Sequence, residues 1–189
     1  QYYTKRIFRF NSYISSIVEL IKIFPKYLRI PKEKKISNSF KEKIMLIITA
    51  VNDCVYCKWF HIKQAKKQGL KTEEIQNLLI LQFDTNANEY ETKALMYAQH
   101  YVETNRKPDI KITNDLINFY GRETTTSIMF SIKAIFFGNL SGNTFDAFRS
   151  RLKGTKAEKS SFLFEFFFFL VNWPFFTPIT TALCKRTCY

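Results

Sequence analysis

Apolar residues recur every three to four positions along most of the chain, which is the spacing of amphipathic helices. The first such segment covers residues 12–24, where Pro25 ends the pattern. Its apolar stripe consists of Ile14, Ile17, Val18 and Ile21. We expect a helix that packs on the rest of the domain through this stripe. Residues 25–36 carry two prolines and many lysines, and they predict an extended connector.

The segment from Ser39 to Gly69 predicts two helices joined by a tight turn. Ser39 opens a helix whose next residues are apolar on almost all sides, so this helix should be central in the fold. Asn52 and Asp53 interrupt it and can cap the next helix. The second helix is expected to begin at about Cys54 and to end at Gly69, a residue type that often follows helix C-termini.

Further helical patterns follow along the chain, and none of them alternates as a strand does. They cover Thr72 to about Leu81, Asn88 to about Asn105, Thr113 to near Gly121, residues 123–137 and residues 143–152. The predicted fold class is therefore all-α, a compact bundle of about seven helices. The Cys-x-x-Cys pair is expected at the start of a core helix.

The composition changes after residue 154, so the chain is divided into a helical domain over 1–154 and a phenylalanine-rich hydrophobic tail over 155–189. Residues 162–183 would be long enough to cross a bilayer as a helix. Two polar residues and two prolines oppose that interpretation. They are Glu165, Asn172, Pro174 and Pro178. Membrane anchorage, an interface or core-covering tail, and a loosely ordered tail remain alternatives.

The net charge of +13, from 29 Lys+Arg and 16 Asp+Glu, favours anionic partners. The basic residues are spread along the chain without an arginine-rich run or an aromatic RNA-binding motif, so nucleic-acid binding is disfavoured. Four cysteines are too few for a disulfide-stapled secreted fold. The opening QYYTKRIFRF lacks the apolar core of a signal peptide, which favours a cytoplasmic location, with membrane association through 162–183 as the alternative.

Candidate chemistry is concentrated at Glu42, Cys54, Cys57 and His61. Cys-x-x-Cys spacing is typical of redox or metal chemistry, and the first turn of a helix favours thiolate at Cys54. His61 lies one turn after Cys57 and could hold or relay its proton. If the turn folds the two helices together, Glu42 approaches the thiols, partly desolvated, and could act as a general base.

Each of these residues also has a structural interpretation. Ser39 and Glu42 have the spacing of a capping box. His61 alone would more often be an ordinary helix residue. The cysteine pair could instead bind zinc if Cys184 and Cys188 supplied further ligands, although the usual paired spacing is absent.

The pattern Glu42-x11-Cys54-x2-Cys57-x3-His61 resembles the active-site motif of the alkylhydroperoxidase D-like branch of the carboxymuconolactone decarboxylase superfamily. The resemblance extends from about Ile14 to Leu152. Supporting segments are AKKQGL at 65–70, ETKALMYA at 91–98 and FGNLSGNTFDAF at 137–148.

This resemblance implies an all-helical, usually homo-oligomeric protein whose cysteines cycle between dithiol and disulfide. It implies that Cys57 attacks the substrate, that Cys54 resolves the intermediate, and that Glu42 and His61 move protons. The helix-terminus argument favours Cys54 as the more acidic thiol, so the identity of the attacking sulfur stays open. Some members carry a second histidine between the cysteines, where this chain has Val55 and Tyr56.

The functional hypothesis is a thiol-dependent peroxidase or disulfide oxidoreductase with antioxidant activity. Its substrate would be a hydroperoxide or a disulfide, and its reductant a dithiol protein of the lipoyl or thioredoxin-like kind. Decarboxylation is disfavoured because decarboxylating members of the superfamily lack the cysteine pair. No flavin, haem or nucleotide cofactor is expected, since the sequence has no glycine-rich phosphate loop. The alternatives are a non-enzymatic helical interaction module, membrane-associated through its aromatic tail, and a structural zinc domain.

Overall fold

The structure is a computed structural model that describes residues 2–82, 88–158 and 160–187, with side chains as far as residue 182. The predicted all-α class is confirmed: the described residues form seven α-helices and a 3₁₀ turn at Lys32–Lys34. The helices are α1 (Phe10–Leu28), α2 (Asn38–Asn52), α3 (Val55–Lys67), α4 (Thr72–Leu79), α5 (Glu89–Glu103), α6 (Ile110–Leu152) and α7 (Phe162–Thr187). Two short strands, β1 (Tyr2–Tyr3) and β2 (Lys156–Ala157), pair in parallel.

The centre of the fold is α2, as the sequence predicts. It packs against α5 and α6, and α3 and α4 cover its remaining sides. Ile44, Leu46, Ile47 and Ile48 are fully buried on several sides of this helix. The long α6 contacts α1, α2, α5 and α7, and therefore joins the predicted central helix to both ends of the chain.

Helix α6 is longer than the separate helices that the sequence predicts between residues 113 and 152. Its two helical stretches meet at Gly121, whose φ of 74° and ψ of 164° are not helical. Glycine adopts this conformation without the steric cost that a Cβ would add. The segments at 123–137 and 143–152 are parts of one continuous helix.

The packing predicted for α1 is wrong. Ile14, Val18 and Ile21 are exposed, with 65% of Ile21 accessible to solvent, and Pro25 lies inside a helix that continues to Leu28. The periodicity located an amphipathic helix correctly but could not show which side it buries.

The opposite side of α1 contacts α6. Tyr27 stacks on Phe130 with ring centroids 4.1 Å apart. Glu19 accepts hydrogen bonds from Lys133 Nζ at 2.7 Å and from Arg106 Nη1 at 3.2 Å. Charge pairing and aromatic stacking therefore determine how α1 docks.

Helix α7 also differs from expectation, because it continues through Pro174 and Pro178. Both prolines are exposed and four residues apart, so the lost hydrogen bonds fall on the outer face of the helix. The stretch Phe162–Ala182 has a mean hydropathy of 1.5 and the length of a membrane span. Only 22% of its most apolar part is buried inside the protein. Length and hydropathy of this kind are weak grounds for membrane association, since core helices of soluble proteins share them.

Helix α7 docks on the bundle through a buried ion pair. Glu165 is fully buried and accepts from Arg151 Nε at 2.6 Å and from Arg151 Nη2 at 3.2 Å. Next to this pair, the rings of Phe169 and Phe145 stack with centroids 4.6 Å apart. One side of α7 therefore belongs to the core, and the other side faces outwards.

Candidate functional site

The turn between α2 and α3 brings the candidate residues together. Asp53 adopts a left-handed conformation with φ 51° and ψ 46°, which ends α2 and reverses the chain. Lys5 Nζ donates to the Asp53 carbonyl at 2.8 Å and pairs with its carboxylate at 3.0 Å. Helix α3 consequently folds back along α2, and Glu42 of α2 comes within hydrogen-bond distance of His61 of α3.

The two thiols are in contact at the beginning of α3. The Cys54 and Cys57 sulfurs are 2.8 Å apart and share a hydrogen bond in which either thiol can donate. Cys54 is the N-cap of α3, and its sulfur also accepts from the Cys57 backbone N–H at 3.4 Å. Both cysteines are free, so a small movement would bring them to the disulfide length of about 2.05 Å.

The surroundings of the two sulfurs differ. Cys54 is fully buried, whereas Cys57 is partly exposed. The hydrogen bond with Cys54, together with burial and the nearby Cys54 charge, raises the pKa of the Cys57 thiol above its ordinary value. The pair therefore retains a proton on Cys57 while it is reduced.

Glu42 and His61 form a second pair beside the dithiol. Glu42 Oε2 lies 2.8 Å from His61 Nδ1, and their side chains are 16% and 12% exposed. The capping-box interpretation of Glu42 is wrong, because the N-cap of α2 is Ser37, whose hydroxyl accepts from the Phe40 N–H. With Nδ1 bonded to the carboxylate, Nε2 of the imidazole is left for other partners.

A groove of about 740 Å³ between α3, α6 and α7 gives access to these groups. Cys57 and His61 both line it, whereas Cys54 does not. Its apolar lining includes Met45, Phe60, Phe137, Phe175, Phe176 and Ile179. The arrangement is a partly exposed thiol with a buried partner thiol, next to an imidazole held by a carboxylate, in a mostly apolar groove.

Residues 19–100 match the model of the carboxymuconolactone decarboxylase family. The match contains Glu42, Cys54, Cys57 and His61, and it confirms the resemblance drawn from their spacing. Comparison with curated proteins and with solved structures found no significant match.

Beyond the segment that matches the carboxymuconolactone decarboxylase family, α6 supplies a close contact to the dithiol. A Cβ on Gly142 would lie 2.7 Å from the Cys54 sulfur and 3.2 Å from the Tyr56 ring, so α6 approaches α3 closely only because this residue is glycine. Gly142 lies in the 137–148 segment that supported the resemblance, but helical periodicity alone gives no sign of this contact.

Tyr56, which lies between the cysteines, anchors α3 to α6. Its hydroxyl donates to Asp146 Oδ1 at 3.1 Å and accepts from Arg149 Nη1 at 2.9 Å. Burial and the Asp146 charge raise the pKa of this phenol. Its ring contacts Phe176 of α7. Tyr56 therefore has a positioning role, and neither Asp146 nor Arg149 was identified from the sequence.

The zinc hypothesis requires the same cysteines to bind a metal ion with further ligands. Among the residues whose side chains are described, no group of three or more His, Cys, Asp or Glu residues is placed to hold a metal ion. Cys184 and Cys188, which the zinc hypothesis requires, lie outside that set.

Proposed function

We propose that this protein is a thiol-dependent oxidoreductase of the alkylhydroperoxidase type, which reduces a hydroperoxide or a disulfide with Cys57 and Cys54. The observation that carries the proposal is the contact of the two free sulfurs, 2.8 Å apart, at a groove that His61 also lines. The match of residues 19–100 to the carboxymuconolactone decarboxylase family model supports an enzyme of this broad class.

Accessibility favours Cys57 as the attacking sulfur. Cys57 lines the groove, while Cys54 is fully buried behind it. The raised pKa of Cys57 means that a base must take its proton before it can attack. We assign this role to His61, whose imidazole is held by Glu42.

The Cys57 thiolate attacks the terminal oxygen of a hydroperoxide ROOH, so the O–O bond breaks and an S–O bond forms. The departing alkoxide takes a proton from protonated His61 and leaves as ROH. The Cys54 thiol then attacks the sulfenic acid, an S–S bond forms, and water leaves. Two electrons from the dithiol have reduced the peroxide, and an external dithiol of the lipoyl or thioredoxin-like kind restores the pair.

The test is peroxide consumption with dihydrolipoamide as reductant, in the wild type, Cys54→Ser and Cys57→Ser. We expect each variant to lose turnover by on the order of 10³-fold or more, since each lacks a reacting sulfur. Mass spectrometry after one equivalent of peroxide should show a Cys54–Cys57 disulfide in the wild type and a sulfenic acid on Cys57 in Cys54→Ser.

A double Cys184→Ser, Cys188→Ser variant is the control and should retain activity. Wild-type turnover in Cys57→Ser would exclude the proposal. Sedimentation of the wild type would show whether it assembles as the homo-oligomer that the resemblance implies.

The outer face of α7 favours one additional role, attachment to a membrane surface. Leu163, Phe167 and Val171 on that face are each more than 60% exposed. An exposed apolar face of this kind is favourable at a bilayer interface, where the net charge of +13 would also favour anionic lipid. Sedimentation with anionic vesicles tests this role: Phe167→Gln with Val171→Gln should reduce binding, and a wild type that stays in the supernatant would exclude it.

A further inference from the structure

The C-terminal helix α7 forms one wall of the groove that contains Cys57. Asn172, Phe175, Phe176 and Ile179 of α7 all line this groove. The helix lies outside the segment that matches the family, which ends at residue 100. The reacting groups and this wall therefore come from separate parts of the chain.

The lining has the chemistry of an apolar binding site. In the part of the chain that is described, no Lys, Arg, Asp or Glu residue lines the groove, although the protein carries 29 basic and 16 acidic residues. Polar side chains contribute little on the α7 side, since Asn172 Nδ2 donates to the Phe168 carbonyl of its own helix at 2.8 Å. A ligand there gains free energy mainly by removing its apolar surface from water.

The size of the groove indicates what it can hold. A volume of about 740 Å³ is within the range of pockets that enclose drug-sized molecules. Hydrogen peroxide would occupy a small part of it and could make no apolar contact. A molecule with an aromatic or extended alkyl body fills such a groove and places its reactive end at Cys57.

We propose that α7 is a substrate-selecting wall, on which Phe175 and Ile179 hold the apolar body of the hydroperoxide. This inference rests on the proposed function and adds the element of the fold that selects the substrate and the residues through which it does so. The chemistry at sulfur is the same for every hydroperoxide, with O–O cleavage, S–O formation and release of ROH. The apolar body R contacts Phe175 and Ile179 while the peroxide lies at Cys57.

Phe175 offers a variant that should leave the fold intact. Its side chain is 69% exposed, so Phe175→Gln removes little core packing but places a polar group in the wall. Phe167→Gln is the matched control, because Phe167 lies on the same helix, is 62% exposed and does not line the groove.

The first experiment compares kcat/KM for cumene hydroperoxide and for hydrogen peroxide. The wild type should prefer cumene hydroperoxide, and Phe175→Gln should lower that preference by about tenfold while Phe167→Gln leaves it unchanged. Equal kcat/KM for the two peroxides in the wild type would overturn the inference. So would an equal effect of the two substitutions.

The second experiment measures binding without turnover. Dodecanol, which resembles an alcohol product, should slow the alkylation of Cys57 by iodoacetamide in the wild type and in Phe167→Gln, and should slow it less in Phe175→Gln. If dodecanol protects Cys57 but the protein consumes no peroxide, the proposed function is excluded, whereas apolar binding against α7 is supported. Absence of protection in the wild type would overturn the binding site itself.

Discussion

Two of the walls of the groove, one on each side of α6, are specified in different ways. The wall formed by α2 and α3 depends on local signals: Ser37 caps one helix, Asp53 reverses the chain and Cys54 caps the next helix. The α7 wall depends on distant contacts, above all the buried pair of Glu165 with Arg151. The reacting groups thus lie on a locally specified segment, whereas the shape of the space in front of them depends on long-range packing.

The largest expected effect concerns the anchor of α7. Arg151→Met leaves Glu165 buried without its charge partner, and breaking a buried pair in this way costs about 3–5 kcal/mol of unfolding free energy. The double variant with Glu165→Leu should recover most of the loss. Urea denaturation measures both.

Lys93→Met is the control for this prediction, because the Glu89–Lys93 pair is largely exposed and should contribute less than about 1 kcal/mol. An Arg151→Met protein as stable as Lys93→Met would show that the ion pair does not hold α7 in place.

On the other wall, Glu42→Gln should lower kcat/KM for hydroperoxide by about 10²-fold, because His61 loses the carboxylate that holds and orients its imidazole. The comparison variant is Glu91→Gln, which removes another partly buried carboxylate, the partner of Lys43, away from the groove lining. Steady-state kinetics should show little change in kcat/KM for Glu91→Gln. Equal losses of kcat/KM in Glu42→Gln and Glu91→Gln would show that Glu42 has no part in the proton relay.

Gly142 of α6 lies against Cys54 and Tyr56 and close to Phe176 of α7, and its replacement tests the close approach of α6. Gly142→Ala places a Cβ 2.7 Å from the Cys54 sulfur, so we expect disulfide formation about tenfold slower in stopped-flow measurements. Gly138→Ala, one turn earlier on α6, adds a Cβ to the groove lining but meets nothing within 4 Å, so the step in which Cys54 forms the disulfide should keep its wild-type rate. If both variants react alike, the close contact has no role in positioning the sulfur.

The pH dependence of Cys57 alkylation should also reflect its contact with Cys54. Because a raised pKa leaves less thiolate at a given pH, the wild-type rate should continue to increase above the ordinary thiol range of about pH 8.5. Cys54→Ala removes the hydrogen bond that is the largest cause of the raised Cys57 pKa. The alkylation profile of this variant should therefore move to lower pH, with a several-fold faster reaction at pH 8. Peptide mass spectrometry follows Cys57 alone. An unchanged profile would contradict the assigned cause.

The smallest effect is expected on α1, where packing does not follow the apolar stripe. Ile21→Ala should change the unfolding free energy by less than about 0.5 kcal/mol, because this side chain is 65% exposed. Ile132→Ala, at a fully buried position, should cost about 2–5 kcal/mol. A comparable loss at Ile21 in urea denaturation would indicate that its stripe is covered in solution.

The all-α class, the central α2 and the spacing that unites Glu42, Cys54, Cys57 and His61 can be predicted from the amino-acid sequence alone. These features follow from helical periodicity, caps and a tight turn, which act over a few residues. The buried side of α1 could not be predicted in this way, and it took long-range packing to pair Glu42 with His61 and not with a helix end. Long-range packing also brings Gly142 against Cys54 and α7 to the groove at Cys57. These outcomes depend on charge pairs and ring contacts between residues far apart in the chain, which no local pattern encodes.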